Sequence, residues 1–410
     1  IFEDNPNHSG FDFLIDNIQG GINAIESADV TFEHVDNFKL KFNKTFTNKP
    51  LKILVGANSD GEEIYFTPNY TKTYSNCHIA VAGQSGSGKT YFAQRLLERI
   101  VDASDQQTNF IFLDFKGLKE GEEKSDEFRS FFEKTNAKLI NAPHTPFPVN
   151  PLSFINSTDK TKRILGINKF VDIITNFANL GKVQAQTLKE ATKEVFEEQK
   201  KGELPSLRQI NDKVQEMVDG KASQLTEILE SLTEVKLFET GGDSSFLNSN
   251  YYLSLSGSLG NTVRLTSTFL IVNYIYNTFM NLDNTPEVND YKGIRYVLLI
   301  DEAHVVFKDR KAKEILEKVL REIRSKGVSV ILLSQGIEEF DQPSFDFSSM
   351  CETAFLMNIK DKTNVKQISK FLGLGEQEKN MIVKSMGKIQ NRQAISNIKE
   401  FNLGMLFNIT

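Results

Sequence analysis

Cysteine is scarce in this chain of 410 residues: only Cys77 and Cys351 occur, in no metal-binding or redox spacing. That usage excludes a disulfide framework and a zinc module, and it fits a reducing, cytoplasmic setting. The five histidines are scattered with no pair at ligand spacing, so an imidazole metal centre is not expected. His304 reads as a local hydrogen-bonding residue. No run of 18 apolar residues is present, which argues against a membrane-spanning helix. No secretory leader is visible, and the opening on Ile1 rather than methionine reads as a fragment of a larger protein. Positive charge is not in excess either: the net charge is −6 and the pI about 5.6. That is not the overall footprint of a nucleic-acid binder, although a ring motor needs basic residues only where its pore meets phosphates.

What is present is specific. Gly83, Gln84, Ser85, Gly86, Ser87, Gly88, Lys89 and Thr90 spell GQSGSGKT, a complete phosphate-binding loop. An apolar run over 78–82 precedes it, and from Lys89 through Tyr91 the chain turns helical, with Phe92, Leu96, Leu97 and Ile100 on one face. The glycines let backbone N–H groups wrap a polyphosphate at the positive end of that helix. Lys89 would neutralise the β- and γ-phosphates, and Thr90 would ligate magnesium.

The acidic partner of this loop lies 212 positions beyond Lys89 (301 minus 89). The run over 296–300 is continuously apolar, as in a strand buried on both faces of a parallel sheet, and ends in Asp301-Glu302. Asp301 there could hold magnesium, and Glu302 could polarise the attacking water. A third apolar run over 328–333 ends in Ser334-Gln335, where an amide could sense the γ-phosphate.

Other elements follow from periodicity and punctuation. Alternating runs over 51–55 and 63–66 flank an Asn58-Ser59-Asp60-Gly61 turn, a hairpin signal. Strands are expected over 110–114, 137–140, 251–255 and 353–357, and a closing pair near Ala394 and 404–408. Helices are expected over 261–281 and 365–372. From about Lys160 to Glu239 the pattern is helical throughout, and this segment fills most of the gap between the motifs.

In this order the motifs resemble the FtsK–HerA superfamily of ring-forming motor ATPases, in the branch of HerA-like and type IV secretion ATPases. The matching pieces are GANSDGEEIYF, CHIAVAGQSGSGKT, LDFKG, VNPL, GKVQAQTL, YYLSLSG, LLIDEAH and RSKGVSVILLSQ, within residues 50–410. The helical insert and acidic balance also look like the ATPase portion of DptH-type proteins of phosphorothioation-dependent DNA restriction. The resemblance implies an α/β fold, a RecA-like P-loop NTPase core whose mostly parallel sheet carries helices on both faces. Its expected parts are an N-terminal β-containing extension (1–48), a first core part (49–157), a helical insertion (158–244) and a second core part (245–410). Carried over residue by residue, it implies ATP and Mg2+ as cofactors. Gly83 to Tyr91 would bind the nucleotide, Thr90 and Asp301 the metal, and Lys89, Glu302 and Gln335 would act in catalysis. Arg324, just ahead of Gly327, takes the place of an arginine that could reach a neighbour's γ-phosphate, with Arg321 facing outward beside it. Where HerA-like proteins often carry an arginine after the next strand, this chain has Asn358 and Lys360. The implied partners are further copies in a ring, expected to be a hexamer, double-stranded DNA, and other subunits of a defence or secretion complex.

Rival families fit less well. A guanine-reading N-K-x-D is missing, since Asn168-Lys169-Phe170-Val171-Asp172 is one residue too long. Asp301-Glu302-Ala303-His304 spells DEAH without that helicase family's other motifs, and Leu255-Ser256-Gly257-Ser258-Leu259 falls short of an ABC signature. Two functional classes remain: a motor on duplex DNA, and an ATPase that gates a multiprotein assembly without processive movement.

Overall fold

The computed structural model describes residues 49–119, 121–155, 158–200, 203–234, 237–239, 246–255, 259–343 and 345–410. The extension expected over 1–48 lies outside them. The first strands in chain order are β1 (Ile53–Ala57), β2 (Glu63–Phe66), β3 (Ile79–Ala82), β4 (Asn109–Asp114), β5 (Lys138–Ala142) and β6 (Tyr251–Leu255). There follow β7 (Glu287–Val288), β8 (Tyr291–Lys292), β9 (Tyr296–Asp301), β10 (Val328–Ser334), β11 (Asp341–Gln342) and β12 (Phe345–Asp346). The last are β13 (Thr353–Met357), β14 (Gln393–Ser396) and β15 (Phe407–Asn408).

Eleven of these make one sheet in the order β2-β1-β15-β14-β13-β3-β10-β9-β4-β6-β5, and two small hairpins, β7-β8 and β11-β12, stand apart from it. From β13 to β5 all neighbours are parallel. From β13 back to β2 they are antiparallel. Every residue of β3, β4, β6, β9, β10 and β13 is buried, as continuous apolar runs covered on both faces must be. The hairpin β1-β2 closes the chain on itself, because β1 pairs with the final strand β15 through Ala57 and Asn408.

This is the expected RecA-like α/β fold, with local differences that have physical causes. Leu51 stays out of β1 because its N–H donates to the Asn69 side chain (2.9 Å) instead of a neighbouring strand. The closing strand is shorter than 404–408, since Gly404 sits in a left-handed turn with φ 71°. The helical segment is broken into four helices, Lys160–Phe177, Lys182–Glu198, Leu207–Met217 and Gln224–Glu234. Gly181 starts the second, a Ser206–Gln209 capping box starts the third, and left-handed Asp219 and Gly220 precede the fourth. The first and fourth of these helices pack on helix Asn261–Met280, where Phe177 of the first stacks on Phe269 (4.9 Å) and Lys169 Nζ donates to Asn277 (2.6 Å). Helix Asn261–Met280 is buried around most of its circumference, covered on several sides.

The consequence for the site is a matter of strand order. β10 is inserted between β3 and β9, with Ser334 beside Ala82 and Leu332 beside Ile300. The carboxyl ends of β3, β10, β9 and β4 therefore share one edge of the sheet, where ligands bind in open α/β folds.

Candidate active site

The loop over residues 83–90 leaves β3 and enters helix Lys89–Ala103. Gly86 and Gly88 have φ of 79° and 101°, conformations that favour glycine. Gly83 is required for space: a Cβ there would lie 2.7 Å from Ser87 Oγ and 2.8 Å from Met357 Cβ. The loop is pinned on both flanks. Gly83 N–H donates to Ser334 O (3.2 Å) at the tip of β10, and Gln84 N–H to Asn358 O (2.8 Å) just beyond β13. Lys89 is almost wholly buried, and its ammonium donates to Gly83 O (2.5 Å) and Gln84 O (3.4 Å). Burial pulls its pKa below the ordinary lysine value, against the attraction of Asp301, Glu302 and Glu339.

Asp301 ends β9 beneath the loop. Its Oδ2 accepts from the Thr90 hydroxyl (3.2 Å) and its Oδ1 from the Glu302 N–H (2.8 Å). Burial first, then the neighbouring Asp114 and Glu302 carboxylates, push its pKa up to about 7. Asp114 is its partner across the β4–β9 pair. It accepts from Tyr252 OH (2.8 Å) and from the N–H groups of Lys116 and Gly117, and burial raises its pKa too. Glu302 holds φ of 55°, a left-handed conformation that costs a non-glycine residue about 1–3 kcal/mol. The Gln335 amide, arriving from β10, donates to both Glu302 carboxylate oxygens (3.1 and 3.0 Å). His304 Nδ1 lies 3.0 Å from Glu302 Oε2 without forming a hydrogen bond.

The structure thus brings Lys89, Thr90, Asp301, Glu302 and Gln335 to one edge. The donor set fits magnesium: a hydroxyl and a carboxylate in contact beside a phosphate loop are hard oxygen ligands, and such sites complete their shell with phosphate and water. Thr90 and Asp301 would hold the ion, which would neutralise phosphate charge. Among the described residues no cluster of three His, Cys, Asp or Glu forms a protein cage for a metal.

Two family models match consecutive stretches of the chain: the helicase HerA central domain over residues 70–250 and the helicase HerA-like C-terminal domain over 253–344. The chain belongs to the HerA-like ATPases. Its fold is similar to that of VirB4 of Thermoanaerobacter pseudethanolicus, at 16% identity and a TM-score of 0.59, covering 87% of this chain and 95% of that one. It is also similar to the bacterial conjugative coupling protein TrwB, at 13% identity and TM-score 0.54, covering 91% of each. TrwB in complex with a non-hydrolysable ATP analogue aligns at 15% identity and TM-score 0.52, over 81% of this chain and 85% of that one. The comparison with curated protein sequences returns no match. No helix among the described residues is long and apolar enough to cross a membrane.

In this HerA-like ATPase Arg324 stands away from the other site residues. It belongs to the short turn Ile323–Lys326 ahead of β10, at the end of the sheet opposite Gln335. It is exposed, and it lies near enough to His78, ahead of β3, to help depress that histidine's pKa. Arg321 pairs with Glu317 (3.0 Å) and lies over the Phe345 ring (5.2 Å). Ser85 is exposed on the loop, and Lys360 is exposed beyond β13.

Three residues at the site went unassigned from sequence. Glu339 accepts from the Ser334 hydroxyl and from the N–H groups of Gln335 (3.0 Å) and Gly336 (3.3 Å), and so shapes the turn that aims Gln335. Its only signal is a capping-type spacing after Gly336. Asp114 was legible as a strand end but not as the neighbour of Asp301. Arg392 lies 302 positions beyond Thr90 (392 minus 90) and gave no signal at all.

Proposed function

We propose that this HerA-like ATPase hydrolyses magnesium-bound ATP within a ring of identical subunits and uses the energy to move along double-stranded DNA. The observation that carries the hydrolytic part is the hydrogen-bonded pair Glu302–Gln335, set beside Asp301 and Thr90 at the mouth of the phosphate loop. In this reading Gly83 to Tyr91 bind the nucleotide, Lys89 neutralises phosphate charge, and Thr90 and Asp301 hold the metal. Glu302 takes the proton of the attacking water, and Gln335 positions Glu302 and senses the γ-phosphate. Arg324, exposed and remote from the site of its own chain, suits a contact made on a neighbouring subunit's nucleotide. A hexameric ring, a cytoplasmic setting and work within a restriction or secretion complex belong to the same reading and rest on the resemblance of the motifs.

The test is ATP turnover with and without duplex DNA. The motor reading expects a rate that rises with duplex DNA and loses that rise at high salt. Arg324→Ala should lower turnover while nucleotide affinity stays, and added Arg324→Ala subunits should poison wild-type rings. A DNA-indifferent rate sinks the motor reading and favours an ATPase that gates a multiprotein assembly.

A further inference from the structure

The flank of the phosphate loop that faces away from the acids carries its own constellation. Asp301, Glu302 and Gln335 all lie on the β9–β10 side of the loop. If the reacting phosphate sits there, the nucleoside end of a nucleotide stretched along the loop emerges on the other flank, toward β13 and β14. Four side chains converge on that flank: Tyr91, Asn358, Asn391 and Arg392.

Arg392 is fastened to the loop itself. Its N–H donates to Ser87 O (2.8 Å), and its carbonyl accepts from Ile409 N–H (2.9 Å). Its Cγ lies 3.4 Å from where a Cβ on Gly88 would stand. Its backbone is left-handed at φ 60°. The guanidinium lies over the Tyr91 ring at 4.7 Å, and that ring is also approached by Arg95 at 5.2 Å. Arg392 is exposed, so the side of the guanidinium away from Tyr91 is open to a ligand. Beside it, Asn358 donates its amide N–H to Asn391 Oδ1 (3.2 Å). The Asn358 Oδ1 is buried and has no hydrogen-bond partner among the described residues. A buried acceptor without a donor is costly in a finished structure and is satisfied by a ligand or water.

We propose that Arg392 and Tyr91 form a stacking platform for the nucleobase, with the Asn358–Asn391 amide pair reading its edge. This rests on the reading of the loop as a nucleotide site. A planar guanidinium backed by an aromatic ring stacks well on a base. The orphan Asn358 oxygen calls for a donor, which the exocyclic amino group of a 6-aminopurine supplies. The subsite is thus read as one for ATP or ADP: a 6-oxo purine puts an acceptor at position 6 and keeps only its ring N1–H as a donor on that edge.

The test compares magnesium complexes of a non-hydrolysable ATP analogue, the corresponding inosine analogue and inorganic tripolyphosphate, which lacks a base, by calorimetric titration. Arg392→Gly removes the side chain at a position whose φ suits glycine, so the backbone is not strained by the change. Arg392→Lys keeps the charge and discards the plane. Both variants should weaken binding of the ATP analogue about ten-fold or more while tripolyphosphate binding stays within about two-fold. Asn358→Ala should erase the preference of the adenine over the inosine analogue. Lys89→Ala should weaken every probe. Equal losses for ATP analogue and tripolyphosphate would make Arg392 a phosphate contact, and no loss for either would make it a loop fastener. Either outcome overturns the base platform. Wild-type protein that binds none of the probes refutes the underlying nucleotide reading instead.

Discussion

Asp301→Asn should produce a protein that is more stable and inactive, and the margin should depend on pH. Asp301 is 3% exposed, and its carboxyl is pushed up to about 7 by burial, by Asp114 and by Glu302. The ordinary aspartate value, taken for the unfolded chain, is 3.8. The folded state thus binds this proton more tightly than the unfolded state, and stability falls as pH rises from 3.8 through 7. Integrated over that window, the charged form costs about 2 kcal/mol at pH 5.5 and about 4 kcal/mol at pH 8. The amide removes that cost and keeps the shape. Its oxygen can accept from Glu302 N–H, and its NH2 can donate to the Thr90 hydroxyl, which is a donor and an acceptor alike.

Thermal melts without nucleotide or magnesium read the difference between variant and wild type, in which titrating groups remote from Asp301 cancel. At pH 8 the variant should melt roughly 5 °C higher, and the gap should narrow by about half at pH 5.5. Adding magnesium and ATP should shrink the gap, because the wild type keeps the full metal site and gains more from binding than the variant does. A gap independent of pH, or a variant less stable at pH 8, would refute the account of Asp301 as a carboxylate held against its own burial.

Three further outcomes are expected. Glu302→Gln should keep nucleotide binding while hydrolysis falls about 100-fold or more, measured by titration and phosphate release; unchanged turnover would remove Glu302 as the base. His78 accepts from Val330 N–H at Nδ1 and meets Leu320 O at Nε2, and burial pushes it down to about 4. Stability should therefore be lost as pH falls below 6.5, by about 2 kcal/mol at pH 5, and the acid melts of His78→Gln should be flatter. Gly83→Ala forces a Cβ against Ser87 and Met357, so nucleotide affinity should collapse and stability drop by about 1–3 kcal/mol; a normal titration would contradict the tight packing of the loop.

Strands were legible because they are buried on both faces. The runs ending at Ala82, Asp114, Leu255, Asp301 and Ser334 read as apolar segments, interrupted only by Ser254 and Ser329. Helix ends in the insertion were not legible in this way. Their boundaries are set by single residues such as Gly181, Ser206 and Gly220, whose capping roles look the same as ordinary loop chemistry until the helices have somewhere to pack. The helix Lys379–Met386 escaped for a related reason: it is short, and only Ile382, Ser385 and Met386 of its eight residues are buried.

The site divides along a different line. Lys89, Thr90, Asp301 and Glu302 sit within two local motifs, each placed by its own strand, so sequence alone names them. Gln335 is placed by the insertion of β10 between β3 and β9, and that order was needed before its amide could meet Glu302. Asp114 and Arg392 depend wholly on long-range placement, whereas Glu339 acts through a local turn over residues 334–339. Arg392 is the sharpest case, because the expectation of an arginine was directed at the residues after β13, where Asn358 and Lys360 stand instead. β14 runs antiparallel to β13, so the start of β14 returns to the same edge of the sheet that β13 leaves. An arginine on the residue before β14 therefore reaches the flank of the phosphate loop that a residue just after β13 also reaches. Chain direction, rather than motif spacing, decides which side chain stands beside Tyr91.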